Sequence, residues 1–188
     1  MAELRVHARD TALVLVDVQA RLAAAMPVEA FAAMTRNIVT LIATAARLNL
    51  PVLVSEQYPN GLGRTIPVLN EAVGKLQPAA LYLEKNTFSL ADEPLFQTFL
   101  GHGKRTLVMV GMEAHICVYQ SARALAQRGY SVHVPVDAVI SRTEANHRVG
   151  LDLIARAGCI PTSTETVLFD LLERAGTEAF KLLSRLVK

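Results

Sequence analysis

The chain alternates short apolar runs with longer segments in which apolar residues recur every three or four positions. The runs are Thr11–Val16 (TALVLV), Pro51–Val54 (PVLV), Ala79–Leu83 (AALYL), Thr106–Val110 (TLVMV), Ser131–Val136 (SVHVPV) and a weaker one at Cys159–Thr162. Continuous rather than alternating apolar character predicts strands covered on both faces, as in a parallel sheet. Between the runs, Phe31, Met34, Ile38, Leu41, Ile42, Ala45 and Leu48 lie on one stripe and predict a helix. Ser141-Arg142-Thr143-Glu144 and Thr162-Ser163-Thr164-Glu165 have the form of capping boxes that open two further helices. Gly129 and Gly158 stand where helices end, and Thr177 precedes a last helix over Phe180, Leu183 and Leu186. The stretch Tyr58–Pro78 is expected to be one long, ordered, irregular connection. Strand–helix alternation along the whole chain predicts an α/β protein with right-handed crossovers and a doubly wound, mainly parallel six-stranded sheet.

Composition narrows this picture. A length of 188 residues suits a single domain spanning 1–188. Hydrophobic residues at 52% and charged residues at 19% exclude a disordered chain. A net charge of +2 and the absence of Trp give no nucleic-acid signal, so no nucleic acid is expected as a partner. No apolar run approaches the roughly 18 residues of a membrane helix, so no membrane partner is expected either. The start, MAELRVHARD, lacks the apolar core of a signal peptide, and Cys117 and Cys159 are too few for a disulfide framework. Together these features predict a soluble, cytoplasmic protein.

Ligands of open parallel sheets bind at the carboxyl ends of the strands, so the polar residues that follow each run carry the chemistry. Asp17 follows the first run, Ser55-Glu56-Gln57 the second and Glu84-Lys85-Asn86 the third. Gly111-Met-Glu-Ala-His-Ile-Cys117 follows the fourth and leads into a helix marked by Val118, Ala122 and Leu125. An acid, a lysine and a cysteine thus reach one edge from three strands. Near a helix N-terminus and beside a lysine, Cys117 is expected to have a lowered pKa and to act as a thiolate. Thiolate, acid/base and cation describe acyl transfer on a carbonyl, with backbone N–H groups holding the oxyanion. Each residue alone has a plainer reading: Cys117 as a small buried hydrophobe, Asp17 as a cap, Lys85 as a solvated charge. Only their joint placement points to chemistry. His7, His102, His115, His133 and His147 are scattered without ligand spacing, so no metal and no cofactor are expected. His115 is expected in the pocket wall, and Cys159 in the core.

The segments LVLVDVQ, SEQYPNGLG, LEKNTFS and VGMEAHICV, in this order and spacing, resemble the isochorismatase-like hydrolase superfamily over about residues 10–175. They are most similar to its isochorismatase-domain subgroup of largely unassigned substrates. The resemblance implies a three-layer α/β/α sandwich and a triad of Cys117 as nucleophile, Asp17 as general acid/base and Lys85 as cation. It also implies a non-proline cis bond between Met112 and Glu113 that aims the N–H groups of Glu113 and Cys117 at an oxyanion. The stretch SEQYPNGLG lacks the histidine of the metal cluster of nicotinamidases, so nicotinamide is not the expected substrate. The implied activity is cysteine-dependent hydrolysis of a C–N bond in a small amide-like or carbamoyl substrate, through a thioester. The alternatives are vinyl-ether hydrolysis in the manner of isochorismatase, and a non-catalytic oligomeric interaction protein that retains the fold. Gln19, Glu56, Gln57, Tyr58 and His115 are candidate substrate-pocket residues, and a homo-oligomer is expected.

Overall fold

The structure, a computed structural model, describes residues 3–100 and 103–187. In chain order the elements are β1 (Thr11–Val16), α1 (Ala20–Ala23), α2 (Val28–Leu48), β2 (Val52–Gln57), α3 (Pro59–Leu62), α4 (Pro67–Val73), β3 (Leu81–Lys85) and α5 (Pro94–Leu100). There follow β4 (Thr106–Met112), a π-helical turn (Ala114–Val118), α6 (Tyr119–Gln127), β5 (Ser131–Pro135), β6 (Val139–Ile140), α7 (Glu144–Arg156), β7 (Ile160–Thr162), α8 (Thr164–Leu172) and α9 (Glu178–Leu183). The sheet runs β3-β2-β1-β4-β5-β7, with β6 added alongside β4, and every pairing is parallel.

Side-chain parity explains the unbroken apolar runs. Leu13 and Leu15 of β1 enter one buried cluster, whereas Ala12, Val14 and Val16 enter the other. Met34, Ile38 and Leu41 of α2, Leu69 of α4 and Val167 of α8 cover the first face. Phe96 of α5, Leu125 of α6 and Ile154 of α7 cover the second. A strand buried on both faces has no polar side to alternate with. Helix α9 adds an outer layer to the first face through Leu183 against Leu168 and Leu172. The architecture is the three-layer α/β/α sandwich that the resemblance implies.

Four local features differ from expectation. A seventh strand, β6, pairs Gly111↔Val139 and Met112↔Ile140; at two residues it is too short to leave a period in the sequence. Strands β2 and β3 continue past their apolar runs, because the ladder extends through Glu56↔Glu84 and Gln57↔Lys85. The Tyr58–Pro78 connection holds two short helices, α3 and α4, each started by a proline at its first position. Both capping boxes shift inward. Ser141 is drawn to His115 instead, so Thr143 caps α7, accepting from the Asn146 N–H; Ser163, not Thr162, caps α8.

Candidate active site

The strand order reverses between β1 and β4, and the polar residues gather where these two strands end. Asp17 leaves β1 in the left-handed region, with φ +52°. Its N–H donates to the Ser55 carbonyl at 3.1 Å, and its own carbonyl accepts from the Gln19 N–H at 2.8 Å. Beside it, Gly111 of β4 sits at φ +117°, where an added Cβ would lie 2.1 Å from the Val16 carbonyl oxygen. Only glycine permits that approach.

Parity then decides which neighbours share the site. Leu53, Ser55 and Gln57 point to one face of β2, and Leu83 and Lys85 to the same face of β3. Lys85 donates to Asp17 Oδ2 at 2.7 Å, to Gln57 Oε1 at 2.7 Å and to the Thr87 carbonyl at 3.2 Å. With the Phe88 carbonyl a fourth acceptor at 3.4 Å, the three ammonium hydrogens are all committed and none is left for substrate. Ser55 Oγ donates to Asp17 Oδ1 at 2.7 Å, so each carboxylate oxygen has its own partner. Both Asp17 and Lys85 side chains are fully enclosed.

The chain enters the turn that carries Cys117 through a cis bond between Met112 and Glu113. Cys117 occupies the π-helical turn and is buried. Its acidity is opposite to expectation: burial above all, then the charge of Asp17, pushes the thiol up to about 12. Lys85 acts downward but is outweighed, while Asp17 as hydrogen-bond acceptor and the charge of Glu113 add to the rise. A thiol held in this way is protonated at neutral pH, so Cys117 could act as a nucleophile only with a base to take its proton. Gly150 of α7 packs so tightly on this turn that a Cβ there would lie 2.7 Å from Ala114 C and from His115 N.

The remaining candidates, Tyr58 apart, have definite side-chain partners. Gln19 donates to the Gln57 and Gly63 carbonyls and accepts from the Gln57 N–H, tying the ends of β1 and β2 together. Gln57 spans Lys85 and the Asn86 carbonyl. Glu56 points to the opposite face of β2, where it accepts from Thr65 and pairs with Arg64 at 2.7 Å. Burial alone would raise its pKa, but these hydrogen bonds outweigh it and hold the carboxyl below its usual range. Arg64 also pairs with Glu84. Tyr58 is exposed at φ +38°, and His115 Nδ1 lies 2.9 Å from Ser141 Oγ. Glu113 is buried and accepts through Oε2 from Arg142 N and Nε at 3.0 and 3.1 Å. Ser55, which sequence alone places only within a polar triplet after the second apolar run, is the residue the fold adds.

A cleft of about 500 Å³ opens beyond Ser141, between α2 and α7, but none of Asp17, Lys85 or Cys117 lines it. Among the described residues, which do not include His102, no group of three His, Cys, Asp or Glu is placed to hold a metal ion. Among the same residues no helix is long and apolar enough to cross a membrane.

The isochorismatase domain family matches residues 11–166. Isochorismatase domain-containing protein 1 of Danio rerio is 36% identical over 150 residues; the match covers 79% of this chain and 51% of that protein, so the chain spans about half its length. The structure of MAR1 ribonuclease from Caenorhabditis elegans is 32% identical with a TM-score of 0.88, covering 97% of this chain and 92% of that one. The ycaC gene product of Escherichia coli, described as an octameric hydrolase of unknown specificity, shares the fold with a TM-score of 0.82 at 23% identity, covering 93% of this chain and 85% of its own. By sequence and fold together, this chain belongs to the isochorismatase-like hydrolase superfamily.

Proposed function

We propose that the protein hydrolyses a C–N bond of a small, neutral amide-like or carbamoyl substrate, with Cys117 as nucleophile and Asp17 as general acid/base. What supports this reading is the Asp17 carboxylate, enclosed and held by Lys85 and Ser55 at the end of β1, beside the end of β4 that leads into the Cys117 turn, with its charge raising the thiol pKa. Asp17 takes the thiol proton as sulfur attacks the carbonyl carbon, giving a tetrahedral oxyanion. The N–H groups of Glu113 and Cys117 receive that oxyanion, and one such donor is typically worth about 2.7–4 kcal/mol. As the C–N bond breaks, Asp17 returns the proton to the departing nitrogen and a thioester remains. Asp17 then deprotonates a water, which adds to the thioester; acid product leaves and sulfur recovers its proton. Lys85 orients the Asp17 carboxylate without touching substrate.

Charge and enclosure define the substrate class. The Asp17 carboxylate is balanced by the Lys85 ammonium and that of Glu113 by the Arg142 guanidinium, so no cation is left over to hold an anionic substrate at the carbonyl. The same balance disfavours the phosphodiester that the name of the nematode relative implies for that protein. The octamer described for the E. coli neighbour supports a homo-oligomer here. The test is a panel of small amides and ureas with wild type, Cys117→Ala and Asp17→Asn. Loss of turnover in both variants is expected; undiminished turnover in the cysteine variant overturns the reading, and hydrolysis of a vinyl ether that survives alkylation of Cys117 favours the isochorismatase-type reaction.

A further inference from the structure

We infer that Ser55 is a positioning residue that fixes the plane of the Asp17 carboxylate so that it can accept the Cys117 proton; the inference rests on the function proposed above. A carboxylate turns easily about its last side-chain torsion, whose distribution is broad and roughly two-fold. One anchor leaves that freedom largely intact, because the group swings about the anchored oxygen. Here Lys85 holds Oδ2 and Ser55 holds Oδ1, both at 2.7 Å, so the swing is blocked.

Ser55 grips Asp17 a second time through the backbone, its carbonyl accepting the Asp17 N–H at 3.1 Å. That bond restrains a residue at φ +52°, a region most side chains avoid. The clamp is itself rigid. Ser55 lies on an inner strand, in register with Val16 on one side and Leu83 on the other. It is fully buried, so it works through Asp17 and not on substrate. An ionised carboxylate only accepts, so the hydroxyl hydrogen must point at Asp17. Gln57, the next side chain on this face of β2, is committed to Lys85 and does not stand in for it.

The test uses the reactivity of Cys117 itself. Iodoacetamide, a small neutral amide, alkylates sulfur with loss of iodide while the thiol proton passes to Asp17. Labelling of the full chain at neutral pH is followed by peptide mass spectrometry, with the buried Cys159 as the reference in the same molecule. Wild-type Cys117 is expected to label faster than Cys159. Ser55→Thr and Ser55→Val have the same shape and differ in the hydroxyl, so the first is expected to label Cys117 faster than the second. The second is expected to slow Cys117 roughly tenfold, leaving Cys159 unchanged, as a charge-assisted hydrogen bond is lost. Ser55→Ala gives the same comparison without the branched side chain. On an amide substrate the loss falls on kcat and leaves KM unmoved. Equal Cys117 rates in the Thr and Val variants, or in Ser55→Ala and wild type, overturn the role of Ser55 while the function stands. A wild-type Cys117 that labels no faster than Cys159 overturns both.

Discussion

Nζ of Lys85 lies 2.7 Å from Oδ2 of Asp17, and both side chains are wholly removed from solvent. A buried ion pair tolerates the loss of both charges better than the loss of one, because the survivor is left uncompensated. Lys85→Met is therefore expected to cost about 3–5 kcal/mol of stability and to abolish turnover. The double variant Asp17→Asn/Lys85→Met is expected to be more stable than Lys85→Met alone while remaining inactive. Urea denaturation of the three proteins checks this; a double variant no more stable than Lys85→Met contradicts it.

The acidity of Cys117 and its reactivity are expected to move in opposite directions. The Asp17 charge raises the thiol pKa, so Asp17→Asn lowers it and more thiolate is present at a given alkaline pH. The same variant lacks the base and is expected to be inactive at neutral pH. Titration of the thiolate absorbance in Asp17→Asn, compared with wild type and Cys117→Ala, measures the first effect; hydrolysis assays measure the second. An unchanged thiol titration removes the proposed coupling.

Stability is expected to fall in alkali because of the cysteines. Burial holds Cys159 protonated up to about 11 in the folded chain, above the ordinary thiol value of 9.0. As pH rises through that window the unfolded chain releases the proton first, so the folded state loses ground. Cys159→Ala is expected to flatten this decline between about 9 and 11 relative to wild type, as read from denaturant midpoints across pH. Parallel curves for the two proteins count against it.

Glu113 is expected to act in selectivity by charge. Its carboxylate is felt at Cys117 and is buried against Arg142. Glu113→Gln removes a negative charge felt at Cys117 and leaves Arg142 without its carboxylate partner. Relative kcat/KM for an amide carrying a carboxylate is expected to rise several-fold over its neutral analogue, a change of about 1 kcal/mol in discrimination. An unaltered ratio assigns the residue to structure alone.

Gly150 packs against the turn that carries Cys117. A methyl group added there would stand 2.7 Å from backbone atoms of Ala114 and His115, so Gly150→Ala must displace either α7 or the turn that carries Cys117. Overpacking of this kind typically costs about 1–3 kcal/mol, and the displacement is expected to slow alkylation of Cys117 as well. Thermal denaturation and labelling rates together check it.

Much of this site is written in the order of the residues. The runs ending at Asp17 and Gly111, and the Lys85 that follows a third, mark the edge where chemistry gathers, because a doubly covered parallel sheet exposes only strand ends. Parity along β2 also separates Ser55 and Gln57 from Glu56, although this requires knowing that the strand continues past Val54. The apolar runs stop short of that point: the last residues of β2 and β3 are polar, and the backbone ladder that keeps them in strand leaves no hydrophobic trace. Strand β6 and the displaced cap at Thr143 stayed hidden for the same reason, since each depends on contacts with β4 and His115, far away along the chain.

The amino-acid order by itself determined the layers, the doubly wound topology and the three residue types at one edge, because local periodicity and burial act over a few neighbouring positions. Tertiary structure alone decided the protonation of Cys117 and the partners of Asp17. The fold puts Cys117 in hydrocarbon beside two carboxylates, and that desolvation and charge outweigh the lysine expected to sharpen it. Electrostatic balance is a sum over distances, and distances exist only once the chain has closed.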